Sequence, residues 1–120
     1  MSEVINDRVL ERNYAVGSGA GPVLLSVIIG DGQIGGSAVF IDANQKAKGQ
    51  ITHQDVGAPA ALQGHHMTVR TVVFDINEQT NKTSVTYLLT GGAGDAEYTL
   101  WFEAPQDKMG VPYTALFTFV

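Results

Sequence analysis

The three histidines are the side chains of this 120-residue sequence that could bind a transition metal. His65 and His66 are adjacent, and His53 precedes them. Imidazole is a common zinc ligand, and an acidic residue such as Asp75 could complete a site if the fold brought it close. Adjacent residues on a strand point to opposite faces, so His65 and His66 cannot share one ion unless the chain is irregular there. No H-x-H or H-E-x-x-H spacing is present, so we favour histidines without a metal. The candidate metal ligands are His53, His65, His66 and Asp75.

Carboxylate and amide side chains suggest calcium as a second candidate ion. Asp75, Asn77 and Glu78 crowd one end of a predicted hairpin. Carboxylate and carbonyl oxygens are the ligands that Ca²⁺ prefers, and sandwich proteins can hold the ion between loops at one end. The sequence has no D-x-D-x-D-G loop, and Asp and Asn at hairpin ends commonly serve turn geometry. We therefore expect no cofactor, with Ca²⁺ and Zn²⁺ as the ions to consider.

A glycine motif, Gly30-Asp31-Gly32-Gln33-Ile34-Gly35, matches the G-x-G-x-x-G pattern and directly follows the apolar run Val23–Ile29. In a dinucleotide-binding fold such glycines let the backbone approach a pyrophosphate at the start of a helix. An acidic residue, Asp55, lies 20 positions after Gly35, but little else in the sequence indicates alternating helices and strands. We therefore interpret the motif as a glycine-rich loop between strands.

Nucleophilic catalysis has no support in the sequence. The chain has no cysteine, which excludes disulfides, thiolate metal sites and a cysteine nucleophile. It also has no G-x-S-x-G elbow, and nothing identifies a pair of catalytic carboxylates across a cleft. An enzyme is thus the less favoured hypothesis.

The single tryptophan is the most informative candidate for ligand binding. Alternation along residues 97–103 places the larger apolar side chains on one face and Trp101 on the other. Polar residues share that second face: Glu97, Thr99 and Glu103. A large ring among polar neighbours is typical of a surface on which a sugar or a protein partner stacks. The alternative is that Trp101 packs beneath a loop, because tryptophan is usually well buried. Ligand binding is assigned to Trp101, Thr99, Glu97 and Glu103.

The elements that must position these residues are predicted to be strands. Thirteen valines, ten threonines and seven isoleucines make up a quarter of the chain, and fourteen glycines supply turns. Eight segments show strand-like patterns: 8–16, 23–29, 37–42, 50–55, 67–76, 82–90, 97–103 and 113–120. This spacing predicts an all-β fold, a two-layer antiparallel β-sandwich of about seven or eight strands that is immunoglobulin-like in the broad sense. A jelly-roll or small barrel is the alternative, and residues 37–48 could instead form a short helix.

Length and charge bound the remaining expectations. Residues 1–120 are the size of one domain, and we expect an irregular start over residues 1–7. The net charge of −5 argues against binding to nucleic acid or to a membrane surface. The sequence shows no secretory leader or membrane-spanning run, so a cytoplasmic location is expected by default, with signal-independent export as the alternative.

Together these features favour a non-catalytic module that recognises a protein or a carbohydrate through a sheet face or loops. Self-association through edge strands is a related expectation. The alternative is a small metal-dependent enzyme or metal-binding sandwich that uses the histidines, Asp55 and Asp75. For the core, alternation predicts that Tyr87, Leu100 and Phe102 are buried.

Overall fold

Alternating apolar and polar residues form most strands of this protein in a computed structural model, which describes residues 2–120. Met1 lies outside the described residues. The strands are β1 (Ser2–Ile5), β2 (Val9–Tyr14), β3 (Val23–Ile29), β4 (Ile34–Ile41), β5 (Asn44–Gly49), β6 (Gln54–Gly57), β7 (His66–Phe74), β8 (Lys82–Thr90), β9 (Ala96–Glu103) and β10 (Gly110–Phe119). A helix of one turn, α1 (Pro59–Leu62), lies between β6 and β7. Within residues 2–120, no helix has the length and apolar character needed to cross a membrane.

The strands form two five-stranded sheets that pack as a sandwich. The first sheet has the order β1-β9-β8-β3-β6, and the second has the order β2-β10-β7-β4-β5. Both sheets have two free edges, so the predicted all-β sandwich is confirmed and the barrel alternative is wrong. Most neighbours are antiparallel, but β1 runs parallel to β9 and β2 runs parallel to β10. The two N-terminal strands are therefore the edge strands of both sheets on one side of the sandwich.

The inward-facing residues of both sheets form one continuous core. Tyr87 and Leu100 are fully buried, as predicted. Phe102 is only half-buried and packs against the core from its margin, so the prediction for this residue is confirmed only in part. The reason is that β1 ends at Ile5, opposite Leu100, and leaves the last residues of β9 without a neighbouring strand on that side. The guanidinium carbon of Arg8 lies 4.5 Å from the centre of the Phe102 ring and covers it instead.

The N-terminal segment is more regular than expected. Residues Ser2–Ile5 form β1, where an irregular start over residues 1–7 was predicted. This strand is short and its sequence does not alternate between apolar and polar residues. It is ordered because it pairs with β9. An ion pair between Arg12 Nε and Glu3 Oε2, 2.9 Å long, also joins β2 to β1 across the edge of the sandwich.

Residues 37–48 are part of a hairpin, so the helical alternative for this segment is wrong. Strand β4 turns at residues 42 and 43 into β5, which pairs with it in an antiparallel register. The strand predicted at residues 50–55 is misplaced, because β5 ends at Gly49 and β6 begins at Gln54. Strand β5 lies at a sheet edge and exposes Lys46 and Lys48, so its sequence lacks the alternation of a half-buried strand.

The glycine motif forms the loop between β3 and β4, as the favoured interpretation predicted. The chain leaves the first sheet after Ile29 and enters the second sheet at Ile34, and no helix follows Gly35. A Cβ atom at Gly35 would collide with the carbonyl oxygen of Val72 on the neighbouring strand. Glycine is therefore required there by close backbone packing, which needs no bound phosphate to explain it.

Candidate functional site

Trp101 lies on the outward side of β9, opposite the core. The residues that alternate with it, such as Leu100, are buried, whereas Trp101 is half-buried. Three polar residues share its side of the strand: Glu97, Thr99 and Glu103. The sequence analysis gave two alternatives, a ring exposed on the sheet face or a ring buried beneath a loop, and the exposure of Trp101 is intermediate between them.

Strand β8 supplies the neighbours of Trp101 across the sheet. Ser84 is directly opposite Trp101, and Lys82 is opposite Glu103. The ammonium nitrogen of Lys82 lies 5.1 Å from the centre of the Trp101 ring, within the range of a cation–π contact. The Lys82 ammonium therefore lies over part of the ring.

A row of four residues crosses the sheet beside Trp101. Ile28 on β3 pairs with Thr86 on β8, which pairs with Thr99 on β9, which pairs with Val4 on β1. The Thr86 and Thr99 hydroxyl oxygens are 2.8 Å apart and share a hydrogen bond. Ile28 is 53% exposed and Val4 is 70% exposed, so apolar side chains flank the two hydroxyls. We call this surface the Trp101 face; its residues are Val4, Ile28, Lys82, Ser84, Thr86, Glu97, Thr99, Trp101 and Glu103.

The candidate metal ligands do not converge. The ring of His65 contacts Asp42, and the ring of His66 contacts Thr118 with a distance of 3.1 Å between Nδ1 and Oγ1. His53 donates its backbone N–H to Ser26 Oγ on β3, at 2.9 Å. Within the described part of the chain, no three His, Cys, Asp or Glu side chains are placed to hold one ion. The structure therefore gives the proposed zinc set no common centre.

Asp75 belongs to a buried polar network at the end of the sandwich. Its Oδ1 accepts a hydrogen bond from Gln33 Nε2 at 2.9 Å, and Gln33 Oε1 accepts the backbone N–H groups of Ile76 and Asn77 at 2.8 Å. With its amide nitrogen turned toward the carboxylates, Asn81 donates to Asp75 Oδ2 at 2.9 Å. Amide donors thus occupy both Asp75 oxygens, so this side chain links neighbouring loops through hydrogen bonds. It is therefore poorly suited to bind calcium.

Asp42 and His65 form a pair that the sequence analysis missed. His65 Nδ1 lies 2.6 Å from Asp42 Oδ2, and Asp42 Oδ1 accepts the backbone N–H of His66 at 3.1 Å. These two hydrogen bonds, the backbone one first, hold the pKa of Asp42 below its ordinary value. Asp42 itself has a positive φ of 51°, which the tight β4–β5 turn imposes. The residues are 23 positions apart, so only the fold could reveal the contact.

The outer face of the second sheet carries an exposed apolar patch, which we call the Phe74 patch: Ile34, Val72, Phe74 and Pro112. Phe74 is 46% exposed and pairs with Ile34 on β4, which is 56% exposed. Val72 pairs with Pro112 in the next row. The signal for this patch was the unbroken apolar run at residues 72–74, where an outward position would ordinarily be polar.

Compared with known proteins, the chain matches no family model, no curated protein and no solved structure.

Proposed function

We propose that this chain is a non-catalytic binding module and that its Trp101 face recognises a carbohydrate. The observation that supports this most is the outward position of Trp101 beside the hydrogen-bonded hydroxyls of Thr86 and Thr99. A pyranose ring has an apolar C–H face and a rim of hydroxyl groups. It therefore needs a flat apolar ring with hydrogen-bonding groups around it, which is what this surface offers.

Each part of the Trp101 face has a role in this proposal. The Trp101 ring stacks on the sugar and supplies most of the apolar contact. Glu97 and Glu103 accept hydrogen bonds from sugar hydroxyls, and the Lys82 ammonium donates hydrogen bonds to sugar oxygens. The exposed apolar side chains Val4 and Ile28 extend the surface to neighbouring sugar units. The scaffold would be immunoglobulin-like in the broad sense, a sandwich that presents its ligand on a sheet face.

A protein partner is the second candidate, and the Phe74 patch is the observation that favours it. Exposed contiguous apolar side chains on a sheet face are characteristic of protein–protein contacts. Ile34, Val72 and Phe74 lie on the opposite side of the sandwich from Trp101. The two functions therefore depend on different residues and can be separated by mutation.

A glycan array followed by calorimetric titration of the best-binding oligosaccharide tests the proposal. We expect Trp101→Ala to weaken binding at least tenfold, because an aromatic anchor commonly contributes more than ~1.4 kcal/mol. Phe74→Ala is the matched control, since it removes an exposed ring from the other sheet and should leave the affinity unchanged. Absence of binding to any glycan, or equal affinity of Trp101→Ala and the parent protein, would contradict the carbohydrate proposal. Loss of a protein partner in Phe74→Ala would support the second candidate.

A further inference from the structure

A groove runs along the side of the sandwich opposite the two N-terminal strands. It lies between the β4–β5 hairpin of the second sheet and the β6–α1 segment, where β6 is the edge of the first sheet. Its cavity volume is about 380 Å³, within the range of roughly 300–1,000 Å³ that is usual for small-molecule sites. Val56 and Leu62 form part of its base and are themselves buried in the core, so the base is apolar and fixed.

Most polar residues of the groove come from the β4–β5 hairpin, and one comes from the segment that leads into β7. Asn44 and Lys46 line it from the edge strand β5, and His65 lines it from the segment before β7. Strand β6 and helix α1 contribute no charged residue to the lining. The charged or titratable lining residues are thus Asp42, Lys46 and His65.

The negative charge of Asp42 is already engaged. Its two oxygens accept hydrogen bonds from the His65 ring and from the His66 backbone. A carboxylate only accepts hydrogen bonds, so the donor in the 2.6 Å contact is His65 Nδ1. Among residues 2–120, the second ring nitrogen, Nε2, has no hydrogen-bond partner, and no ion pair engages the Lys46 ammonium. Within that part of the chain, Lys46 is therefore the charged group of the groove that remains for a ligand.

We propose that this groove is a second binding site and that it takes a small amphipathic carboxylate. The apolar tail would pack on Val56 and Leu62, and the carboxylate would pair with Lys46 and approach His65 Nε2. In the proposed complex the His65 ring lies between two carboxylates, with Nδ1 donating to Asp42 and Nε2 donating to the ligand. This arrangement matches both the apolar base and the Lys46 ammonium at the rim. The site is separate from the Trp101 face and does not depend on its function.

Octanoate is a suitable probe, with octanamide as its neutral counterpart. In a titration followed by two-dimensional amide NMR, octanoate should cause saturable shifts at Gly57 and Leu62, and octanamide should bind at least fivefold more weakly. Lys46→Gln and His65→Gln should each weaken octanoate binding at least fivefold. Lys48→Gln is the matched control, since Lys48 neighbours Lys46 on β5 but does not line the groove.

The ring nitrogens of His65 give an independent readout. Octanoate should move the Nε2 resonance toward that of a protonated nitrogen, whereas octanamide should leave it unchanged. The proposal is overturned if octanoate gives no saturable shift at these amides at millimolar concentration. It is equally overturned if Lys46→Gln and His65→Gln bind octanoate as tightly as Lys48→Gln does.

Discussion

Two buried tyrosines differ in the partners of their hydroxyl groups, and this difference predicts the effect of removing each hydroxyl. Tyr113 is 1% exposed, and its hydroxyl oxygen lies 2.6 Å from Thr83 Oγ1 and 3.1 Å from the Thr83 carbonyl oxygen. Tyr87 is fully buried, and its hydroxyl makes no well-formed hydrogen bond within the described chain. Burial raises the pKa of Tyr87, and the nearby Thr71 hydroxyl offsets this only in part.

Tyr113→Phe should therefore destabilise the protein, and Tyr87→Phe should not. The first change breaks a buried hydrogen bond and leaves Thr83 with one partner fewer, which costs about 1–2 kcal/mol. The second removes a buried hydroxyl without a good partner, so the free energy of unfolding should change by less than about 0.5 kcal/mol or increase. Both variants keep the aromatic ring and therefore leave the packing of the core almost unchanged.

Urea denaturation followed by Trp101 fluorescence measures the difference directly. For a domain of this size, a loss of 1–2 kcal/mol lowers the urea midpoint by roughly 1 M. Thr83→Val combined with Tyr113→Phe completes a double-mutant cycle, in which we expect a coupling energy of about 1 kcal/mol. Equal destabilisation by the two Tyr→Phe changes, or no coupling between positions 83 and 113, would refute this reasoning.

Three further predictions follow from backbone geometry, the polar network and the tyrosines. Gly91→Ala should destabilise the fold by more than about 1 kcal/mol in thermal melts, because φ is +88° and the new Cβ would collide with the carbonyl oxygen of Pro22. Gly94→Ala is the control, since its Cβ meets only open space and the melting temperature should not change. Gln33→Leu should cost about 2–4 kcal/mol in urea denaturation, because it removes the donor to Asp75 Oδ1 and the acceptor of the Ile76 and Asn77 backbone N–H groups, and an unchanged midpoint would contradict that role. Burial raises the pKa of all four tyrosines above their ordinary value, so the unfolded state loses these protons first, and stability should fall as pH rises above about 10.

The sequence predicted the sandwich because its central strands alternate so clearly. Strand β8 places Val85 and Tyr87 inward and Thr86 outward, and this period-two pattern requires a half-buried sheet. The edge strands β1 and β5 were missed, because their order comes from pairing with a neighbour rather than from burial of their own faces. The same reason explains why the parallel partners of β1 and β2 could not be predicted.

The candidate sites divide in the same way. The position of Trp101 on the outer face followed from local alternation within one strand. The contact of Lys82 with Trp101 and that of His65 with Asp42 depend on which strands and turns become neighbours. Local sequence patterns do not carry this information, so the histidines were grouped by type although the structure separates them.

Protection of Trp101 by a bound ligand tests the central claim most directly, because this residue is the only tryptophan of the chain. Acrylamide quenching of its fluorescence should be measured with and without a saturating amount of the oligosaccharide that binds best on the array. A sugar stacked on the half-buried ring excludes the quencher, so we expect the quenching constant to fall by at least half and the emission to shift to shorter wavelength. An oligosaccharide that binds by calorimetry but leaves the quenching constant and the emission unchanged would place its site elsewhere and contradict the assignment of the Trp101 face.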